Sequence, residues 1–305
     1  MQVNTRAAHD AMVQRMSALS DQLYRLEGAI TSGKRINTAD DDPVGAARVL
    51  QINRTLAATA SQRTGIDRAS SRLDSADTTL NGISTLLQRV KEIALLGQNA
   101  TLNADDRTTL ANEVTQLSAQ LLGYANTKDI DGGALFAGAR TAGPAYAAGA
   151  DGKIAWQGAG TAAVLTIDGA TVSTGIDGPA LFSGLPGEAG TTDTFQLLAD
   201  LGAALVNPDA AARTASLTAA QAGVDASVSR TADTQAVVGT RMARLDTEAA
   251  RLDAGKTSLT ADLATTQGLE MADAIADTQR LLTVLQAAQL SFTKISSLSL
   301  WDMLR

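Results

Sequence analysis

The sequence predicts a mainly α fold, in which long antiparallel helices from both chain ends form a coiled coil or bundle and a small glycine-rich β domain is inserted in the middle. Apolar residues recur at spacings of three and four near both ends, which is the pattern of helices that pair through one face. More than half of the 26 glycines lie in residues 131–190, where this periodicity stops. Aromatic residues make up only 3% of the chain, a composition that suits thin helix-on-helix packing better than a deep enzyme core.

The N-terminal half contains three predicted helical segments. The first starts near His9 and carries an apolar seam whose members are Met12, Met16, Leu19, Leu23, Leu26 and Ile30. A second seam covers residues 66–94, and a third covers residues 110–124 after a break at TLNADDR. Each seam would present one apolar stripe to a partner helix.

The C-terminal half mirrors this pattern. One apolar seam covers residues 238–263. The phase of the apolar pattern then shifts, as in a stutter of a coiled coil, which predicts a boundary within residues 265–270. Beyond the slip the seam residues are Met271, Ile275, Leu282, Leu285, Phe292 and Ile295. Neither arm closes a core alone, so we expect the arms to pair with each other or with copies in neighbouring subunits.

The middle of the chain has the signals of short strands. KIAWQ (residues 153–157), AVLTI (163–167) and ATVST (170–174) are the candidate strands. Asp168-Gly169 predicts the hairpin turn between the last two. Helix is expected again in FQLLADLGAALVNPD (195–209), where Asn-Pro would stop it.

Composition and motifs argue against several function classes. The net charge is −7 and no basic stripe is present, so nucleic acid is not an expected partner. No apolar run approaches the roughly 18 residues of a membrane span, so no membrane is expected.

The chain has one histidine, His9, and no cysteine, which leaves no nucleophilic or His-ligated constellation. A glycine pattern at residues 158–163 precedes a strand-like run, not the helix that a dinucleotide motif needs. We therefore predict no enzyme activity, no metal site and no cofactor.

The segment SGKRINTADDDPVGAAR (residues 32–48) raises a separate question. Its consecutive aspartates could be metal ligands, an acid/base pair or the start of a helix, but their spacing fits an EF-hand loop poorly and no second catalytic group is identifiable. Pro43 suits the first position of a helix and disfavours helix at the residue before it. We therefore predict that Asp42 caps a new helix, and that Asp41, Asp42 and Pro43 form a hinge between domains.

These residues also carry a family resemblance. The segment at residues 32–48, together with DGGALFAGAR (131–140), VVGTRMARLD (237–246) and the C-terminal LLTVLQAAQLSFTKISSLSLWDMLR, resembles the flagellin-like axial proteins of the bacterial flagellum. Asp41-Asp42-Pro43 and the LWDML ending are more similar to the hook–filament junction branch of this family than to flagellin, the filament subunit. The likeness covers nearly the whole chain and is loosest in residues 141–190.

The resemblance implies a structural role outside the cell. Members leave the cell through the flagellar type III export channel without a cleaved signal, and a cytosolic chaperone shields the C-terminal helix beforehand. This chain would then form a ring or helical layer of identical subunits between the first hook-associated protein and flagellin, with the apolar residues of the two terminal seams as its assembly surface. Flagellin itself is the alternative, and a cytosolic coiled-coil scaffold is a third reading.

The resemblance also sets the predicted domains. Residues 1–39 and 266–305 would form a terminal coiled-coil domain, the inner tube. Residues 40–137 and 196–265 would form a helical bundle, and residues 138–195 the small outer β insert.

Overall fold

The computed structural model describes the backbone of residues 2–99, 101–140, 142–150, 152–188 and 190–302, but not the side chains of residues 2–6, 8 and 295–302. Its described part contains seven helices: α1 (Gln2–Ser32), α2 (Pro43–Gly97), α3 (Ala104–Ala125), α4 (Gly178–Phe182), α5 (Thr194–Val206), α6 (Ala210–Gln267) and α7 (Met271–Asp302). The described strands are β1 (Tyr146–Ala148), β2 (Ile154–Trp156), β3 (Val164–Ile167), β4 (Ala170–Ser173), β5 (Ser183–Gly187) and β6 (Gly190–Asp193). The predicted fold class, long helices with a small β insert, is confirmed.

The helices begin and end where local chemistry favours it. Asn103 accepts a hydrogen bond from Asp106 N at 2.8 Å and so caps α3. Asp193 accepts from the first free N–H groups of α5 in the same way. Helix α5 ends at Asn207 directly before a proline, as the sequence predicted. Helices α6 and α7 are separated at residues 268–270, inside the predicted boundary.

The strands form three separate antiparallel hairpins, β1–β2, β3–β4 and β5–β6. In β3–β4 the turn residues Asp168 and Gly169 have φ values of 47° and 85°, the left-handed conformations of a two-residue hairpin turn. The predicted hairpin is therefore confirmed. Hairpin β5–β6 was not predicted, because SGLPG and GTTD lack the alternation of apolar and polar residues that identifies strands.

The chain separates into two compact units. One comprises Met1–Thr59 and Asp253–Arg305, and the other comprises Ala60–Leu252. The chain passes between these units inside α2 and α6. The division into three domains stays a prediction.

The core of the unit Ala60–Leu252 is built on the second predicted seam. Its α2 residues are all buried: Ile66, Ala69, Leu73, Ala76, Leu80, Ile83, Leu87, Val90 and Ala94. Helix α6 runs antiparallel to α2, since Lys91 pairs with Asp225 at 2.6 Å while Gln235 donates to Asn81 at 2.9 Å. The β insert adds a cluster of aromatic rings to the same core, namely Phe136, Tyr146, Phe182 and Phe195, with neighbouring centroids 5.2–5.7 Å apart.

Candidate assembly interface

Helices α1 and α7 pack against each other in the terminal unit. They are antiparallel, because Leu269 N donates to Gly33 O at 3.3 Å at one end. Further along, the rings of His9 and Phe292 lie 4.7 Å apart. The predicted α1 seam faces this contact: Leu23 is buried, and Met12, Met16, Leu19, Leu26 and Ile30 are half-buried. His9, the one histidine of the sequence, therefore packs against an aromatic ring.

Helix α7 uses a different stripe from the predicted one. The less exposed residues form one line along the helix: Ala274, Thr278, Leu281, Leu285, Ala288 and Phe292. Of the predicted seam only Leu285 and Phe292 belong to this line, whereas Met271, Ile275 and Leu282 are 42%, 45% and 38% exposed. The side chain of Ile295 lies outside the described residues.

This difference has a physical reason. Residues one position apart on a helix point about 100° apart, so Leu281 and Leu282 belong to two adjacent apolar stripes on the same helix. Helix α1 covers the stripe that contains Leu281. The stripe that contains Met271, Ile275 and Leu282 is open to solvent within this unit and is available for another protein surface.

The link between α1 and α2 begins with a helix stop. Gly33 has a φ of 68°, which a glycine adopts without strain. Lys34 N donates to Ala29 O at 3.2 Å, the hydrogen bond that closes the C-terminus of a helix before such a glycine. Gly33 therefore ends α1.

The aspartates of the link bind backbone N–H groups. Asp42 Oδ1 accepts from Gly45 N at 2.9 Å, and the Asp42 carbonyl accepts from Ala46 N at 2.8 Å, so Asp42 occupies the N-cap of α2 and Pro43 its first position. The hydrogen bond from Gly45, with Arg35 nearby, lowers the pKa of Asp42 below its ordinary value.

Asp41 has its own hydrogen bonds. Its Oδ2 accepts from Thr38 N at 2.8 Å and from Asn37 N at 3.0 Å, and these bonds lower the pKa of Asp41. The two carboxylates thus order the link and the helix start. Whether the segment acts as a hinge between domains stays a prediction.

Ile36 closes the link from the other side. It is 7% exposed, and a Cβ placed on Gly45 would lie 2.4 Å from its Cδ1. The glycine therefore lets this side chain pack directly on the first turn of α2. The sequence pattern gave no signal for this contact, since both residues lie outside the periodic seams.

The second link, between α6 and α7, runs alongside the first. Arg35 N donates to Gln267 O at 2.8 Å, and Lys34 and Gly268 form an antiparallel bridge. The Arg35 side chain donates to Thr266 O at 3.0 Å in the last turn of α6, where a cation is favourable. Arg35 therefore joins the two chain halves, a role that sequence reasoning missed because its partner lies 231 residues away.

An open groove of about 730 Å³ lies beside these links. Its walls come from the end of α1, the first link and the start of α7. The lining residues are Gln22, Tyr24, Arg25, Leu26, Gly28, Ala29, Arg35, Asn37, Asp41, Leu269, Asp277, Arg280 and Leu281. The groove thus combines an apolar floor with charged walls.

In the other unit, the β insert is fastened to α2 and α6 by polar contacts. Asp168, at the β3–β4 turn, accepts from Gln62 at 2.9 Å and pairs with Arg251 at 2.5 Å. The hydrogen bond from Gln62 and then that from Arg251 lower the pKa of Asp168. Arg241 donates to Gly175 O at 2.7 Å, and Arg230 donates to Ser183 O. These contacts fix the orientation of the insert on the helices.

Across the residues that the structure describes, no three His, Cys, Asp or Glu side chains converge in a way that could hold a metal ion. None of the described helices has the length and apolar character needed to cross a bilayer. The candidate site therefore consists of the helix pair α1 and α7 and of the α1–α2 and α6–α7 links.

Comparison with known proteins shows which of them this chain is similar to. Residues 3–141 match the bacterial flagellin N-terminal helical region. Flagellar hook-associated protein 3 of Escherichia coli is 28% identical to this chain, over 90% of both proteins. The chain is therefore similar to flagellin-like proteins of the bacterial flagellum. The family resemblance predicted from the sequence is confirmed.

Other relatives bear on the branch and the fold. Polar flagellin F of Vibrio parahaemolyticus is 32% identical, but over only 45% of this chain and 36% of its own length. The crystal structure of Xanthomonas campestris FlgL superposes with a TM-score of 0.65 at 18% identity, covering 70% of this chain and 99% of that one. At this identity the structural likeness supports the fold alone. Among these flagellin-like relatives, the sequence match that extends over nearly the full chain is therefore to a hook-associated protein.

Proposed function

We propose that this chain is a structural subunit of the bacterial flagellum, a hook-associated protein that connects the hook to the filament. The observation that carries the proposal is the alignment with hook-associated protein 3, which extends over 90% of both chains. The flagellin alignment covers less than half of the chain, which is what a shared helical region alone would give. The described residues offer helix faces and links, which suit assembly more than catalysis.

The finer part of the proposal concerns how the subunit assembles. Identical copies would form a ring or helical layer, with hook protein partners on one side and filament subunits on the other. The exposed residues Met271, Ile275 and Leu282 support this, because an apolar stripe open to solvent is what a neighbouring subunit would cover. The same stripe is where a cytosolic export chaperone would bind α7 before assembly. Export without a cleaved signal peptide belongs to this proposal too.

Labelling tests the location of the chain. An epitope tag is placed in the β1–β2 turn, which is exposed at residues 149–150, and hook–filament assemblies are isolated from the medium. Antibody label in a narrow band between hook and filament is the expected result. A tagged version of a filament subunit serves as the control that labels the whole length. If label on the chain under test extended along the filament, the flagellin alternative would replace the junction proposal.

A further inference from the structure

We propose that the groove beside the α1–α2 link receives the side chains of Asp40 and Val44 of a second copy of this chain, with Asp40 of one copy paired to Arg25 of the next and Val44 on the apolar floor. This inference rests on the proposed function, because it needs copies that assemble side by side. It specifies which surfaces of the terminal unit meet, beyond the general expectation that the terminal helices associate.

The groove has an apolar floor, and its charged lining residues are three arginines and two aspartates. Leu26, Leu281 and Leu269 are half-buried at the floor, whereas Tyr24 is 71% exposed on the rim. A tyrosine this exposed beside an open apolar floor offers contact area that nothing in the described part of its own unit covers. The apolar part of the groove is therefore suited to a small apolar side chain.

One charge in the groove is left over. Arg280 pairs with Asp277 at 2.8 Å, and Arg35 pairs with Asp42 at 3.2 Å. Arg25 makes no ion pair or hydrogen bond with any described residue, although its charge helps to lower the pKa of Asp41, which also lines the groove. The occupant of the groove should therefore bring one carboxylate.

Gly28 indicates that the space is kept open. It lies within α1 and lines the groove, and a Cβ built on it meets no atom within 4 Å. Because glycine adds no side chain here, a neighbouring surface can approach the backbone of α1 closely.

The same chain carries a surface with the matching chemistry. Val44 is 82% exposed in the first turn of α2. Asp40 is exposed, and unlike Asp41 and Asp42 it has no hydrogen bond or ion pair within the described part of the chain. An unpaired carboxylate next to an exposed apolar side chain matches an unpaired arginine next to an open apolar floor.

The two surfaces also lie at the same level of the molecule. The groove is walled partly by Asn37 and Asp41, and Asp40 and Val44 belong to the same link or directly follow it. In a layer of copies related by rotation, side-by-side neighbours meet at one level through two different patches. A groove and a complementary ridge at one level satisfy that requirement.

Complementation between two variants tests the proposal. Asp40→Arg and Arg25→Asp are each expressed, with different tags, in cells that lack the wild-type chain, and the amount of each in isolated hook–filament assemblies is measured. We expect each variant alone to fall at least tenfold below wild type, because like charges then meet at every contact. When both are expressed together, every contact between unlike copies pairs opposite charges, and we expect both tags to return.

The outcomes separate this inference from the proposed function. Recovery in the double variant Asp40→Arg/Arg25→Asp without recovery in the mixture would place the pair inside one chain and overturn the inference, as would normal assembly of either single variant. Absence of the wild-type chain from the assemblies would overturn the proposed function and the inference with it.

A pair of glycine variants provides an independent readout that does not depend on charge. Gly28→Leu fills the groove, while Gly255→Leu adds the same side chain on α6, where nothing lies within 4 Å either. Circular dichroism should show both variants folded. Loss of assembly in Gly28→Leu alone is expected, and equal assembly of both variants would contradict an occupied groove.

Discussion

Arg35 and Asp42 lie at opposite ends of the link between α1 and α2, and their side chains form an ion pair at 3.2 Å. The same guanidinium reaches the carbonyl of Thr266, while the same carboxylate caps α2 through Gly45 N. The pair therefore connects three helix ends, namely those of α1, α2 and α6. Because all three ends meet at this link, we expect an ordered link to fix the directions in which these three helices leave it.

The first prediction concerns the cap. Asp42→Ala removes both the cap and the ion pair, whereas Asp42→Asn keeps a side chain that caps helices well and removes only the charge. We expect hydrogen exchange at the Gly45 amide to accelerate strongly in Asp42→Ala and weakly in Asp42→Asn. Adding EDTA or Ca²⁺ should change neither result. A metal-dependent change would instead indicate that the aspartates are ligands.

The second prediction concerns acid. The pKa of Asp168 is depressed in the folded chain, so its contacts stabilise the fold above the ordinary pKa near 4 and are lost as the pH falls below it. Asp168→Asn retains a residue that tolerates φ > 0 and removes this titration. We expect that lowering the pH below 4 accelerates amide exchange in the β3–β4 hairpin, and that it does so more in the wild type than in Asp168→Asn. Equal pH profiles would show that the carboxylate does not hold the hairpin.

The third prediction compares two glycines of α6. Gly239 has open space at its Cβ position, whereas a Cβ on Gly223 would lie 2.7 Å from Pro186 O. Gly239→Ala should therefore stabilise the chain by roughly 0.5–1 kcal/mol, as expected for an exposed helix position. Gly223→Ala should destabilise it, because a backbone carbonyl must shift. Urea denaturation measures both, and stabilisation by Gly223→Ala would contradict the close packing of β5 on α6.

The fourth prediction concerns the terminal helices in the free subunit. Few residues of α1 and α7 are fully buried, and a helix pair with so thin an apolar contact is marginal in water. We expect amides at residues 12–30 to exchange quickly in a verified monomer, and those at residues 66–94 of α2 to be well protected. Strong protection at residues 12–30 in the monomer would show that the terminal pair is stable before assembly.

Sequence reasoning predicted the parts of the fold that rest on periodicity or turn chemistry. The α2 seam from Ile66 to Ala94 is buried as one stripe, and Asp168-Gly169 forms its hairpin turn. On α7, by contrast, Leu281 and Leu282 both continue an apolar stripe, and only the position of α1 decides which one is covered. Periodicity cannot make that choice.

Contacts between distant segments were also beyond sequence reasoning. The donation from Arg35 to Thr266 O and the ion pair between Arg251 and Asp168 follow no local spacing rule. Arg35 lies just after the end of α1 in the sequence, but its side chain reaches the end of α6. The groove beside the link is likewise a product of tertiary packing, since its lining residues come from three separate segments.

Deletion of the gene tests the central claim most directly. Cells that lack this chain are examined for hooks, filaments and filament subunits released to the medium, and a plasmid copy of the wild-type gene is the control. The account predicts complete hooks without filaments, with filament subunits free in the medium. Normal filaments in the deletion strain, or bare hooks with no filament subunits in the medium, would contradict it.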